Sequence, residues 1–355
     1  MSMRLPSGIM WIGDPHASSK APGRRIDDYA ASVLGKLTEA AEISNVHNLQ
    51  PVITGDLLHR AGENDLRFIC ALMEVLRRFA HVPLALEGNH GKAELRATPA
   101  DAEHLLDLAG VIHLMRLRGA QPSSTADLPV QFEDSVGCQQ EHVLPVKLAF
   151  DNGARALLIP LPHGTRIPES VEDYLDEQGI GQDTCVLAVT HHDLAFSGAH
   201  PNAKPLVEIR GVDMLVNGHL HNTMPSRRLG RMVAHNPGNI EPLSVDLIDH
   251  KPRVWAWRAG DRSFELTPFE LAHQRDVFSM RGRLAEAAAP QEAAQAVQEA
   301  TQGRFAHLLA QARAAQSPAL ATSEAFRAGL AEKLKSHNVS ESAAALLKAL
   351  AAQIP

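Results

Sequence analysis

Cysteine is nearly absent: three residues in 355, Cys70, Cys138 and Cys185, odd in number and far apart. Such a set builds neither a disulfide framework nor a thiolate zinc site, and it suits a reducing cytoplasm. Aromatic residues are also scarce, at 4% of the chain, which argues against a surface that holds single strands by stacking bases on rings. No run approaches the roughly 20 apolar residues that span a bilayer, so no membrane contact is expected. The N-terminal segment lacks the apolar core of a secretory leader. Positive charge is short as well, with 34 Lys and Arg against 41 Asp and Glu and a formal charge of −7. Bulk electrostatics therefore does not hold a polyanion here; local basic patches, metal ions or a partner must supply that attraction. The deficit is uneven. From residue 275 onward nine Lys and Arg face seven Asp and Glu, so the tail carries +2 and the body −9.

Histidine, by contrast, is abundant, at 19 residues, and much of it falls beside Asp or Asn directly after short apolar runs. With 45% apolar residues, the chain has material for a sizeable core and a length that suggests about two domains. Residues 9–12 form an apolar run ending in Gly13-Asp14-Pro15-His16. A helix is expected over 27–43, where Ala30, Val33, Leu34, Leu37 and Ala41 keep helical spacing. Val52-Ile53-Thr54 runs into Gly55-Asp56-Leu57-Leu58-His59, with a second helix over 66–79. The run 82–87 closes on Gly88-Asn89-His90, and 99–110 is helical again. This rhythm of strand, polar loop and helix implies a mostly parallel α/β unit, whose ligands gather at the carboxyl ends of strands.

From 129 to 162 short β-prone pieces separated by turns such as Asp151-Asn152-Gly153 suggest a second sheet. A strand over 185–190 ends in His191-His192-Asp193, and 212–216 leads into Asn217-Gly218-His219-Leu220-His221. Residues 231–234, 254–257 and 264–269 read as closing strands. Beyond about 275 the composition turns to Ala, Gln, Glu and Leu, and helices are expected over 291–315, 323–336 and 340–353. They form either a helical cap or a docking element for another protein. The domains are drawn as 1–274 and 275–355.

Carboxylate, imidazole and amide oxygen without thiolate suit divalent ions such as Mn²⁺, Fe²⁺ or Zn²⁺. Residues one apart on an extended chain, as in Asp14/His16 and His219/His221, point the same way and can meet at a metal pair.

Taken in order, Asp-x-His, Gly-Asp-x-x-His, Gly-Asn-His, a strand-end His and Gly-His-x-His resemble the five blocks of the calcineurin-like metallophosphoesterases, over residues 9–245. The resemblance implies a four-layer α/β/β/α sandwich around a dinuclear centre, here continued by a C-terminal helical extension. It implies one ion held by Asp14, His16, Asp56 and His221, and a second held by Asp56, Asn89, His191 and His219, with Asp56 bridging. His192 is the rival of His191, which is preferred because it comes first after the strand. Two ions about 3.5–4 Å apart lower the pKa of a bridging water and clamp phosphoryl oxygens during in-line attack by the hydroxide. His90 is then expected beside the leaving oxygen as proton donor or transition-state stabiliser.

Gly55-Asp56-Leu57-Leu58-His59 carries His where many phosphoesterases have Asp, and so resembles the SbcD-type nucleases of DNA double-strand-break repair. The segments 98–115 and 236–244 resemble theirs too. This closer likeness implies a Mn²⁺-dependent exo- and endonuclease in which His59 positions the DNA backbone. It also implies an SbcC-like coiled-coil ATPase docked on the C-terminal helices, and a homodimer. Arg227, Arg228 and Arg231 after the last block, and Arg24 and Arg25 after the first, are candidate backbone contacts. A small-molecule phosphoesterase acting on nucleotides, cyclic nucleotides or dinucleoside polyphosphates would share every ligand; a non-catalytic scaffold of the same fold is the remaining alternative. One position departs from the family pattern. An Asp that orients the catalytic His usually follows Gly-Asn-His, and here Gly91 stands there, with Lys92 and Glu94 the candidates to compensate.

Overall fold

A computed structural model describes residues 4–92, 98, 101–119, 121–122, 124–133, 138–196, 203–260, 264–273 and 277–279. The chain divides into Met1–Ser279 and Met280–Pro355, and the three helices expected in the tail lie outside the described residues.

The first half runs β1 (Gly8–Ile12), α1 (Tyr29–Val46), β2 (Leu49–Ile53), α2 (Leu66–Leu76), β3 (Leu84–Leu86), α3 (Ala102–Leu108) and β4 (His113–Met115). Then come β5 (Leu128–Glu133), β6 (Cys138–Val143), β7 (Val146–Ala149), β8 (Arg155–Leu161), α4 (Glu172–Glu177), β9 (Thr184–Thr190) and β10 (Met214–Asn217). The strands β11 (Met224–Leu229), β12 (Met232–Asn236), β13 (Arg253–Ala259) and β14 (Phe264–Glu270) close the unit. One sheet has the order β14-β13-β1-β2-β3-β4 and the other β11-β12-β10-β9-β8-β7. In the first, a parallel core (β1 to β4) carries the antiparallel pair β13 and β14 on the β1 side; in the second, a parallel core (β8, β9, β10 and β12) has an antiparallel strand at each edge.

Side-chain alternation decides the layers. On β1, Ile9 and Trp11 pack into a cluster with Leu158, Leu187, Val189, Met214 and Val216 of the facing sheet. Met10 and Ile12 turn the other way, onto Val33 and Leu37 of α1 and Phe68 and Leu72 of α2. On β8, Ala156 and Leu158 face inward while Leu157, Ile159 and Leu161 face out. Each large side chain sealed in these layers contributes roughly 1.5–3 kcal/mol. The result is the expected α/β/β/α sandwich with unequal outer layers. Three helices back the first sheet; the second is backed by the six-residue α4 and the β5–β6 ribbon. Among the described residues no helix is long and apolar enough to cross a membrane.

Local chemistry moved several element ends. Asp28 caps α1, its carboxylate accepting the Ala31 N–H at 3.0 Å, so the helix begins at Tyr29 rather than Asp27. The second helix stops at Leu76, short of Phe79. Asn45 diverts the backbone there, donating to Arg78 O and accepting the Ala80 N–H, both at 2.7 Å. β11 was not expected at all: it is an edge strand whose middle residues are exposed, so it carries no alternating pattern.

Candidate metal centre

The carboxyl ends of β1, β2 and β3 deliver Asp14 and His16, Asp56, and Asn89; those of β9 and β10 deliver His191, and His219 and His221. The backbone is bent hard to do so. Among the described residues five non-glycine residues have positive φ, and four are Asp14 (21°), His16 (47°), Asp56 (45°) and His219 (72°). Left-handed backbone costs an L residue about 1–2 kcal/mol, and strain of this kind concentrates at functional sites. Two glycines make room: a Cβ on Gly55 would overlap the His191 ring, and one on Gly88 the Asp56 carboxylate.

Two groups of ligand atoms result, Asp14/His16/His221 and Asp56/His191/His219. In the first, the Nε2 atoms of His16 and His221 stand 3.0 Å apart. In the second, Asn89 Oδ1 lies 3.0 Å from His191 Nε2 and 3.2 Å from His219 Nδ1. Asp56 joins them, its Oδ2 lying 3.1 Å from His191 Nε2 and 3.7 Å from His16 Nε2. Asp14, His16, Asp56 and His191 form a buried floor, while Asn89, His219 and His221 are half-exposed above it.

This arrangement fits two divalent cations. Among the described residues no hydrogen-bond partner reaches the buried Asp14 Oδ2, which leaves it able to serve a cation. The Nδ1–H of His191 donates to Thr54 O at 3.0 Å, which turns Nε2 toward Asp56 and Asn89; such backbone anchoring is how ligating imidazoles are oriented. Burial keeps His16 well below the ordinary imidazole range and holds His221 at about 4, so both present neutral nitrogens. His191 behaves oppositely. Burial opposes its charge, but Asp56 and Asp14 prevail and lift it to about 9. Burial also lifts Asp14 to about 6, whereas His191 and His16 overcome burial and drive Asp56 far below the carboxylate range. The floor thus stabilises a positive charge between two acids.

His59 and His90 stack beside this floor, ring centroids 5.3 Å apart and planes 25° from parallel. With His16 they make a third nitrogen cluster. The backbone N–H of His90 donates to Asp56 Oδ1 at 2.8 Å, and its Nδ1–H donates to His59 O at 3.0 Å. The orienter of His90 is therefore a carbonyl. Lys92 does not take that part: its ammonium donates to Glu87 Oε1 and His163 O, both at 3.1 Å. Glu94 lies outside the described residues. Of the adjacent pair, His191 enters the cluster, and His192 turns away to donate from Nε2 to Thr165 O at 2.7 Å.

Two nearby residues escaped the sequence reading. His163 follows the end of β8, its ring 6.1 Å from His219 and 6.3 Å from His191, and burial holds it at about 4. Its only signal was a His two residues beyond an apolar run. Glu103 is buried on α3, its carboxyl pushed up to about 8 by burial.

The arginines fare differently from the histidines. Arg25 is no surface contact: its guanidinium is buried and donates to Asp27, to Glu241 Oε1 at 2.5 Å and to Pro242 O at 2.6 Å. Arg227 and Arg228 are exposed on β11, where adjacent side chains point to opposite faces. Arg227 donates to Ala195 O at 3.0 Å. Arg231 sits past Gly230 in the β11–β12 turn, at the end of β11 away from His221. The structure does not bring these three together with the ligand groups.

The family of calcineurin-like phosphoesterases matches residues 8–223. Among solved structures, the chain is similar to the NAD nucleotidase of Haemophilus influenzae (13% identity, TM-score 0.39, covering 74% of this chain and 50% of that one). It is also similar to a 5'-nucleotidase precursor of Thermus thermophilus (11% identity, TM-score 0.43, covering 82% and 59%). A third is Vacuolar Protein Sorting 29 of Cryptosporidium parvum (12% identity, TM-score 0.28, covering 76% and 100%). The chain spans only 50% and 59% of the length of the two nucleotidases. No curated protein matches it in sequence.

Proposed function

Because the chain belongs to the calcineurin-like phosphoesterase family, we propose that it is a dinuclear-metal phosphodiesterase of the SbcD-like kind that cuts DNA. The observation that carries this reading is the stacked pair His59 and His90 on the half-exposed side of two ligand groups that share Asp56. Asp14, His16, Asp56 and His221 would hold one ion, and Asp56, Asn89, His191 and His219 the other. Mn²⁺ is the ion that the nuclease likeness implies, and Fe²⁺ or Zn²⁺ would also fit these carboxylate, imidazole and amide donors. When bound, the ions neutralise charge on the phosphoryl oxygens and make a nucleophile available at neutral pH.

The protein's own groups do the rest. His90 spends Nδ1–H on the His59 carbonyl, so its Nε2 is the atom that meets the leaving oxygen and, from the imidazolium, hands it a proton. His59 stacks against His90 and presents its ring edge to the neighbouring backbone phosphate, which positions the strand for cleavage. A half-exposed rim over a buried floor admits a polymer without threading its end. An SbcC-like coiled-coil ATPase, a homodimer and a cytoplasmic location belong to the same proposal, with the C-terminal region as the docking element.

The test is incubation of the purified full chain with Mn²⁺ and end-labelled duplex DNA, single-stranded DNA, bis-p-nitrophenyl phosphate and a nucleotide panel, beside Asp56→Asn. Cleavage of DNA and of the diester by the unsubstituted protein alone is expected. Hydrolysis confined to nucleotides would replace the nuclease with a small-molecule phosphoesterase. Inactivity on every substrate would leave a scaffold.

A further inference from the structure

Position 91 is glycine, and the space its side chain would occupy is filled from elsewhere in the chain. A Cβ on Gly91 would fall on the carboxyl group of Glu103, whose carbon and both oxygens crowd that point. The Gly91 backbone is outside the left-handed region, so an L residue would sit there without strain. What it would have to displace is the Glu103 carboxyl. That residue is 2% exposed on the first turn of α3, and its Oε1 accepts the Leu58 N–H at 3.2 Å. Carrying a carboxyl into the interior costs several kcal/mol unless it makes compensating contacts, so its placement calls for a reason.

The reason lies in what it touches. Leu58 directly precedes His59, and Gly91 directly follows His90. One carboxyl therefore abuts both loops, one residue from each histidine. Those loops are otherwise joined by His90 N–H to Asp56 and by His90 Nδ1–H to the His59 carbonyl. Small rotations of either loop would lengthen the second bond and swing the His90 ring.

We propose that Glu103 is a positioning residue that stands in for a side chain at position 91, locking the His59 loop against the His90 loop and so aiming the His90 ring at the substrate. This rests on the phosphodiesterase reading above. It separates Glu103 from the ligand set: no metal contact is required of it, and its effect passes through His90.

The test uses the full chain with Mn²⁺ and bis-p-nitrophenyl phosphate. Glu103→Ala is expected to lower kcat on the order of 10²-fold, the scale of a misaimed catalytic group, with KM within roughly threefold. Glu103→Gln keeps the shape and the Leu58 contact and stays within about fivefold of the unsubstituted protein. The swap Gly91→Asp/Glu103→Ala regains at least roughly tenfold of the loss, and Glu103→Ala adds nothing in a His90→Ala background. A second readout needs no metal: the imidazole ¹⁵N resonances of His90, assigned by their loss in His90→Ala, shift in Glu103→Ala and hold in Glu103→Gln. If Glu103→Ala does not fold, Glu103→Met, which keeps bulk and removes the acceptor, takes its place. Unchanged kcat with lowered thermal stability would overturn the proposal and leave a packing role. So would fully additive losses with His90→Ala, or unmoved His90 resonances. An unsubstituted protein that fails to hydrolyse the diester refutes the phosphodiesterase reading instead, and the resonances still decide the role of Glu103.

Discussion

The two sheets contribute unequally to one site. Of the gathered groups, the first sheet supplies both carboxylates, the amide of Asn89, His16 and the His59/His90 pair; the second supplies three imidazoles. The first is backed by three helices, the second by a short helix and a ribbon. The difference teaches where charge is managed. The anionic side rests on the better-braced layer, where strained loops after β1 and β2 hold Asp14 and Asp56 within reach of His191 from the opposite sheet. The second sheet closes the site with groups that burial keeps neutral, His191 excepted.

Removing the shared acid should break this division most severely. Asp56→Asn is expected to lower kcat/KM on bis-p-nitrophenyl phosphate by roughly 10³-fold or more, the loss of several kcal/mol of transition-state stabilisation. Steady-state kinetics at saturating Mn²⁺ checks it.

Next comes the brace on the first sheet. Arg25→Ala strands Asp27 and Glu241 without their buried cation, and urea unfolding should show a loss of roughly 3–5 kcal/mol. An unchanged midpoint would mean that the ion-pair cluster does not hold the loop after β1 to the segment after β12.

The second sheet has its own weak point in acid. His235 is buried against Trp255, and burial lowers it from 6.5 to about 4 in the fold. The fold favours the neutral ring, so stability is complete above the unfolded value of 6.5 and falls as pH drops toward 4. At about 1.4 kcal/mol per unit, this one residue removes on the order of 3 kcal/mol by the bottom of that window. Thermal melts from pH 8 to 4 should fall less steeply in His235→Gln.

The smallest effect is expected at the edge of the second sheet. Replacing Arg227, Arg228 and Arg231 together by Ala should change the Kd for duplex DNA less than about threefold and its salt slope by less than about one, because the three do not line one face. A slope lower by about two would restore them as backbone contacts.

The candidate ligands were legible in the sequence because each follows an apolar strand, and parallel strands of one sheet end on the same side. That rule set Asp14, His16, Asp56, Asn89, His191, His219 and His221 at strand ends together with His59, His90 and His192; the family resemblance chose among them, and the structure gathers all seven. Side-chain roles that depend on distant partners were not legible. Arg25 looked like a solvent-facing cation until Glu241 and Pro242, more than two hundred residues on, closed around it. Glu103 was invisible because the space it fills is defined by a missing side chain at Gly91. β11 escaped because an exposed edge strand has no buried face to impose a period, and α4 because six residues are too few to show one.

On the proposed function, Asp56 joins two ligand groups, each drawn from both sheets, into one dinuclear centre. Its most direct test is the number of Mn²⁺ ions bound per chain, counted by equilibrium dialysis and elemental analysis. Two are predicted for the unsubstituted protein, one for His191→Ala and fewer than one for Asp56→Asn. A single ion in the unsubstituted protein, or two retained by Asp56→Asn, would contradict it.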